Sequence, residues 1–319
     1  MMYDWANSAH SVIIVTLLPI FFDTVAGYTA DSVSSMSTWG YATSIAMLIV
    51  ALAAPFLGVF GDIRGMRKKL FSFFMLLGVA ACAGMAFTPG MDFTSGPVAA
   101  GKVASLILVL YIVSVIGFDA SAIYYDAFLT DVTTEDRMDK VSTMGYGLGY
   151  IGGSTIPLLI FLIMNLVGVP MLTCLAFVFG LTAVWWLAFS LPLLKNCEQT
   201  SGKPYEKGDV ARSIKGVGTT IKEIIANKPM LIYILSYFFY IDGVHTVISM
   251  ATTYGTNLGL DSTGMMLALL LVQILGLPFC LLYIKCSEKF GARTMVGFGI
   301  CVYMFICIFA FFMNSLWQF

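Results

Sequence analysis

Long apolar stretches alternate with short polar loops along the whole chain. A transmembrane helix needs about 20 mostly apolar residues, and nine stretches meet that requirement. The pattern therefore predicts an all-α membrane protein. The predicted helices lie at 5–29, 38–60, 70–88, 102–125, 141–166, 170–194, 229–252, 262–284 and 295–314.

One long polar segment, 195–228, separates six of these helices from three. We therefore predict a six-helix bundle at 1–194, a linker at 195–228 and a three-helix unit at 229–319. The second half of the linker has the apolar spacing of a short helix lying on the membrane surface. Its apolar stripe consists of Ile214, Val217, Ile221, Ile224 and Ile225.

The basic residues identify the cytoplasmic side. Sixteen of the seventeen lysines and arginines fall in loops on one side of the predicted helices, and only Lys102 lies opposite. Cytoplasmic loops carry the excess of Lys and Arg. This distribution predicts a cytoplasmic N-terminus, in the plasma (inner) membrane if the protein is bacterial.

Composition agrees with a membrane protein and excludes several other classes. Hydrophobic residues make up 59% of the chain and charged residues 11%, whereas a soluble domain needs roughly a quarter of its residues charged. The net charge of −1 argues against a nucleic-acid partner. The seven cysteines form no CxxC pair, so neither a disulfide framework nor a metal site is predicted, and no cofactor is expected.

An internal repeat links the two halves. Four polar residues of the first helix recur in the seventh at a constant offset of 238, and three residues of the loop after the second helix recur after the eighth at an offset of 226. A parallel duplication of this kind is found in transporters whose halves rock around a central site. It predicts twelve helices, of which nine are present, and a truncated second half. The pairs are Asp4/Asp242, Asn7/His245, Ser8/Thr246 and Ser11/Ser249, then Asp62/Glu288, Gly65/Gly291 and Arg67/Arg293.

Three stretches carry a resemblance to a known family: Tyr-Asp-Trp-Ala-Asn-Ser-Ala at 3–9, Asp-Gly-Val-His-Thr-Val at 242–247, and the glycine-rich run at 141–153. With them, the chain resembles the major facilitator superfamily, most closely its vacuole-effluxer-like branch, also called the unknown major facilitator family. The run at 58–69 resembles the general loop signature of the superfamily.

The sequence departs from the family pattern at four positions. Ile63 and Met66 stand where a basic residue is usual, His245 replaces an amide, and Asp126 stands where the branch tends to have asparagine. The resemblance implies a major-facilitator-type helical bundle that moves a small polar solute by alternating access. Since fungal members release amino acids from the vacuole, it implies amino-acid-like cargo. Oligomeric state is not predicted.

Ionisable residues inside a span cost a few kcal/mol and need a reason. Asp242 and His245 lie one turn apart, so they are candidates for proton coupling, since histidine exchanges protons near neutral pH. A helix-packing hydrogen bond is the alternative. Asp4 and Asn7 are candidates for solute binding, with helix capping as the alternative. Asp119 is a candidate for lining the cavity.

Three further features have simpler interpretations. His10 is expected to pack and Asp126 to be solvated. The run Gly147–Gly152 matches G-x-G-x-x-G but sits in an apolar span without a βαβ unit, so we expect close helix packing rather than dinucleotide binding. The gating-loop candidates are expected to form a charge latch or, alternatively, a solvated loop: Gly58, Asp62, Gly65 and Arg67.

Two other functional classes compete with the transporter prediction. An intramembrane acid–base enzyme would use Asp242 and His245, but the sequence shows no nucleophile or ligand cluster beside them, and we predict no enzymatic activity. A non-transporting scaffold or receptor does not account for polar residues that recur in two corresponding helices.

Overall fold

The computed structural model describes residues 2–29, 35–202, 204 and 209–319, and within them every regular element is helical. A π-helical segment, Gly149–Thr155, connects α5 to α6 so that the three form one span. The α-helices are α1 (Met2–Ala26), α2 (Ser35–Gly61), α3 (Arg67–Met85), α4 (Pro97–Val132), α5 (Met138–Leu148), α6 (Ile156–Leu166), α7 (Met171–Asn196), α8 (Asp209–Ala226), α9 (Lys228–Asn257), α10 (Ser262–Phe290) and α11 (Ala292–Ala310).

Nine of the described helical segments are long and apolar enough to cross a membrane, which confirms the predicted all-α membrane fold. The largest difference concerns α4, which continues to Val132 instead of ending at 125. The added turns place Asp126 and Asp131 on a helix rather than in a loop. As predicted, the second half of the linker is helical, as α8, although the side chain of Ile214 lies outside the described part.

The best-packed part of the molecule surrounds α1. In its most apolar stretch 72% of the residues are buried, and its neighbours are α4, α7 and the π-helical segment. Glycines allow the closest of these approaches. A Cβ added at Gly149 would lie 2.5 Å from Ser8 Oγ, and one at Gly153 would collide with the carbonyl oxygen of Trp5. The predicted packing role of these glycines is therefore confirmed.

Helices α3 and α4 approach each other even more closely. A Cβ added at Gly117 of α4 would lie 2.5 Å from Gly78 N and 2.8 Å from Phe74 O, both backbone atoms of α3. Side chains can rotate away from a new methyl group, but the backbone of a packed helix cannot. This contact therefore requires glycine at 117.

Replacing Gly117 by alanine should destabilise the protein. Overpacking costs about 1–3 kcal/mol, so the melting temperature of the detergent-solubilised protein should fall. Gly101→Ala is the matched control, because it lies on the same helix and a Cβ there meets no atom within 4 Å. Equal melting temperatures for the two variants would contradict the tight α3–α4 contact.

Helices α9 and α11 are the least buried of the described spans. No residue is buried in the most apolar stretches of α9 and α11. At its C-terminal end α9 contacts α1 and α2, where Asn257 Nδ2 lies 2.7 Å from Met36 Sδ. Midway along the spans, Gly276 of α10 accommodates the ring of Tyr150, whose Cγ would lie 2.7 Å from an added Cβ.

The loops paired by the sequence repeat share a backbone conformation. Gly65, just before α3, has φ of 82°, and Gly291, just before α11, has φ of 81°. Only glycine adopts this region readily. The polar helix positions agree less well. Asp4 lies 22 residues before the end of α1, whereas Asp242 lies 15 residues before the end of α9. The side chain of Glu288 lies outside the described part.

Candidate functional site

The polar stripe of α9 lies on the face by which this helix contacts the first half. Residues 242, 246, 250, 253 and 257 follow one another at intervals of four, four, three and four, so they share one side of the helix. Met250 lies beside Gly40 of α2, and Asn257 beside Met36. Asp242 lies on the same side of α9 as these contacts, at least two turns before them, and its side chain is exposed.

Asp242 and His245 are both exposed, and neither is joined to the other or to any described residue by a hydrogen bond or ion pair. Asp242 follows the start of α9 at Lys228 by fourteen residues, which is roughly 20 Å along a helix. That depth is inside the hydrocarbon core of a bilayer. Contact with lipid would cost a carboxylate several kcal/mol. An exposed carboxylate at this depth needs water or another polar group beside it.

The C-terminal ends of α1 and α9 meet the N-terminal end of α2. Between them lies a cavity of about 130 Å³. Asp23 at its wall accepts a hydrogen bond from Ser35 Oγ, and the ring of Phe22 lies 5.6 Å from that of Trp39. Two buried polar atoms at the wall, Trp39 Nε1 and Thr253 Oγ1, have no hydrogen-bond partner among the described residues.

Asp119 lies within the span formed by α4, thirteen residues before the end of the helix at Val132. The side chain is half-buried, and its Oδ2 is fully buried with no hydrogen-bond partner in the part of the chain that the structure describes. A buried carboxylate oxygen without a donor carries a desolvation cost of a few kcal/mol unless a proton or a cation satisfies it. Asp119 is therefore chemically suited to binding one.

Side chains of α4 form hydrogen bonds with polar residues of α1. Asp4 is buried and accepts a hydrogen bond from Tyr125 Oη. The neighbouring Tyr3 forms a hydrogen bond of 2.7 Å with Ser121 Oγ, and the rings of Tyr3 and Tyr125 lie 4.7 Å apart. Asn7, one turn further along α1, is half-buried. The carboxylate of Asp4 thus fixes α1 against α4 as well as presenting a polar group.

Arg67 of the gating loop forms its ion pair with Asp131 rather than with Asp62. Arg67 Nη1 donates to Asp131 Oδ2 at the end of α4, and also to Ala127 O at 3.0 Å. The guanidinium lies 5.7 Å from the centre of the Phe128 ring. Both ionic side chains are nearly inaccessible to solvent, at 6% and 0% exposure. Asp62, by contrast, ends α2 with an exposed side chain, which leaves Asp131 as the partner of Arg67.

The remaining loop candidates contribute backbone geometry. Gly65 supplies the positive φ already described. A Cβ at Gly58 would meet no atom within 4 Å, so nothing in the described packing requires glycine there. Gly58 O accepts a hydrogen bond of 3.2 Å from Asp62 N, which closes the last turn of α2.

His10 has the predicted packing role. It is buried, forms a hydrogen bond of 3.2 Å with Ser114 Oγ, and stacks on Phe118 at 4.7 Å. The ring of Trp186 lies 5.2 Å away. Among the described residues, no group of three or more His, Cys, Asp or Glu side chains is arranged to hold a metal ion.

Comparison with known proteins decides the family. A model of the family described as "Vacuole effluxer Atg22 like" matches residues 25–319. The chain belongs to the Atg22-like vacuole effluxer family. The predicted resemblance to this branch of the major facilitator superfamily is thereby confirmed. Like the family, the chain is a membrane transporter. Membership also supports the prediction that it is not an enzyme.

Individual relatives agree with this assignment. The chain is 38% identical over 322 residues to the "Uncharacterized MFS-type transporter YxiO" of Bacillus subtilis (strain 168), an alignment that covers 98% of this chain and 72% of YxiO. It is 24% identical over 177 residues to "Autophagy-related protein 22-1" of Penicillium rubens, covering 52% of this chain and 30% of that protein. A similar match links it to the protein of that name from Aspergillus niger. No solved structure matches the chain.

The sequence did not reveal two sets of residues of this Atg22-like protein. The predicted fourth helix ends at 125, so Asp131 falls in a predicted loop, while Tyr125 lies inside that helix with nothing that marks it as a partner of Asp4. Residues 199–201 belong to the predicted linker, although they surround the Arg67–Asp131 pair. The helix-compatible run Ala127–Leu129 is a sequence signal that the helix continues past 125.

Proposed function

We propose that this chain is a secondary active transporter that moves a small polar solute by alternating access and couples that movement to protons. Amino acids are the first solute class to consider, because fungal members of the resembled branch release them from the vacuole. The N-terminus is cytoplasmic on the distribution of lysine and arginine, and the membrane is the plasma membrane if the source is bacterial. The moving units are 1–194 and 229–319, joined by 195–228.

One observation carries the proposal: the face of α9 that packs on α1 and α2 at one end exposes Asp242 at mid-membrane depth. If α9 touches α1 and α2 at its outer end and is separated from them at mid-depth, the space between these helices is a cavity that is closed on the outer side and open on the cytoplasmic side. Transporters built from two repeats place their sites in such a cavity. The arrangement supports a conformation that is open toward the cytoplasm.

Within this proposal the candidate residues have distinct roles. Asp242 and His245 on α9 exchange the coupling proton with water in the cavity. Asp119 on α4 binds a proton, since its buried Oδ2 has no donor among the described residues. Asp4 and Asn7 offer polar groups from α1. The turn that contains Gly58, Asp62 and Gly65, with Arg67, controls the conformational change.

Cysteine accessibility tests the cavity directly. In a background without native cysteines, Asp242→Cys and Thr246→Cys should react with a charged, membrane-impermeant thiol reagent. Ile248→Cys is the matched control, because Ile248 is 53% exposed on the same helix but about 120° around it from Asp242, where lipid is expected. We expect faster modification when the reagent is added from the cytoplasmic side, since the outer ends are closed.

Two results would contradict the proposal. Protection of Asp242→Cys and Thr246→Cys together would mean that no water-filled space reaches this face. Equal modification of all three positions would mean that α9 is surrounded by water in the preparation, so the exposure of Asp242 would say nothing about a cavity.

A further inference from the structure

The first residues of the linker, Gln199–Ser201, are bound to the turn between α2 and α3. Gln199 Oε1 accepts hydrogen bonds from Gly65 N at 2.8 Å and Arg67 N at 3.3 Å, and its Nε2 donates to Gly61 O at 3.0 Å. One amide side chain thus satisfies a carbonyl at the end of α2 and two N–H groups at the start of α3. Both are positions that a helix leaves without internal partners.

The next two residues surround the buried ion pair. Asp131 Oδ1 accepts hydrogen bonds from Thr200 N, Thr200 Oγ1, Ser201 N and Ser201 Oγ, at 3.2, 2.9, 3.0 and 2.7 Å. Arg67 Nη1 lies 3.2 Å from Ser201 Oγ and bonds the other oxygen of the same carboxylate. The linker therefore supplies most of the donors of a carboxylate that would otherwise depend on Arg67 alone.

Gly202 marks where the linker leaves this contact. Its φ is 118°, a conformation that other residues rarely adopt, and a Cβ there would lie 2.7 Å from Asp62 O. The close approach of Gly202 to the α2–α3 turn allows the three preceding residues to reach Gly65, Arg67 and Asp131. We name residues 199–201 the linker clasp.

We propose that Gln199, Thr200 and Ser201 are positioning residues for conformational change: the linker clasp holds the α2–α3 turn and the Arg67–Asp131 pair in one arrangement. The inference rests on the proposed alternating access, because a positioned turn matters for a protein whose halves move. The clasp shortens the free connection between the halves, so that the α2–α3 turn and the end of α4 move as one body with the start of the linker.

Cys197 provides a native reporter for the clasp. It lies two residues before Gln199, half-buried against the core of the first half. Burial raises the pKa of the Cys197 thiol, while nearby Lys68 lowers it and Asp131 raises it. The thiolate is the form that reacts with maleimide. The docked cysteine should therefore react slowly, and release of the clasp should speed the reaction and shift its rate profile to lower pH.

The experiment measures maleimide labelling of Cys197 in purified protein whose other cysteines are replaced by serine or alanine. Gln199→Ala and the double variant Thr200→Val/Ser201→Ala should each raise the labelling rate on the order of tenfold, since each loses several hydrogen bonds. Gln199→Glu keeps the acceptor but loses the donor to Gly61 O, so its labelling rate should lie between those of the wild type and Gln199→Ala. Glu198→Gln is the matched control and should label like the wild type. Unchanged labelling in both clasp variants would overturn the docking.

A transport assay distinguishes a clasp that positions the turn for conformational change from a clasp that only stabilises the fold. Counterflow of a radiolabelled amino acid, normalised to folded protein, should show a reduced maximal rate in Gln199→Ala with an unchanged half-saturating concentration. Faster Cys197 labelling with unchanged counterflow per folded molecule would overturn the positioning role. If the wild type moves no amino acid, the proposed function fails while the labelling result still decides whether the clasp exists.

Discussion

Replacing Asp242 by asparagine is expected to abolish proton-driven accumulation of solute while leaving exchange in place. The carboxylate lies about 20 Å along α9, exposed on the face directed toward α1 and α2. Asparagine keeps the size and polarity of the side chain but lacks the carboxylate that would bind the coupling proton. Binding and reorientation should therefore continue, and the gradient should no longer drive them. We expect accumulation to fall by at least about tenfold, the scale of 1.4 kcal/mol of lost coupling.

The measurement compares uptake of an amino-acid panel into vesicles with and without a pH gradient, using the full gene product. His245→Gln should be milder and should shift the pH dependence of uptake, because the amide that the family resemblance leads us to expect replaces a proton-exchanging ring. Asp261→Asn is the matched control, since Asp261 caps α10 and lies outside the span. Wild-type accumulation by both Asp242→Asn and His245→Gln would show that the pair is structural.

Breaking the Arg67–Asp131 pair is expected to have the largest effect on stability. Removing one partner of a buried ion pair typically costs 3–5 kcal/mol, because the other charge is left uncompensated. The loss of stability should depend on which partner is removed. Without Asp131, the buried guanidinium keeps Ala127 O, Ser201 Oγ and the Phe128 ring. Without Arg67, the carboxylate keeps four donors from Thr200 and Ser201.

Asp131→Ala should therefore lower the thermal stability of the detergent-solubilised protein by about 3 kcal/mol, and Arg67→Met by clearly less. The double variant should recover part of the loss, since it removes both charges. Asp62→Ala is the control, because that carboxylate is exposed at the end of α2. A smaller effect for Asp131→Ala than for Arg67→Met would mean that the clasp donors do not stabilise the carboxylate.

The helical spans were predictable because each one must satisfy its backbone internally and present apolar side chains to lipid. Apolar runs of the required length can be recognised from the amino-acid sequence alone. The end of α4 was not predictable in this way. Its last turns leave the apolar run at Phe128 and continue with Thr130 and Asp131, which are stabilised by Arg67 and the linker rather than by lipid. Contacts between distant segments decide such an end.

The candidate site was partly predictable for the same reason. An ionisable residue in an apolar run, such as Asp119 or Asp242, stands out without any knowledge of its surroundings. Its partners do not: Tyr125 reaches Asp4 across a separation of 121 positions. The linker gave no signal either, because glutamine, threonine and serine are ordinary loop residues. Their role depends on the close approach at Gly202, which only the fold reveals.

Counterflow tests the central claim of a solute carrier most directly. Vesicles that contain the full gene product are loaded with an unlabelled amino acid and diluted into the same amino acid carrying a radiolabel, with no ion gradient. Alternating access predicts a transient accumulation of label above equilibrium for at least one amino acid, because a carrier exchanges solute across the membrane one molecule at a time. Absence of counterflow for every amino acid tested, from protein shown to be folded by its cooperative melting, would contradict the account.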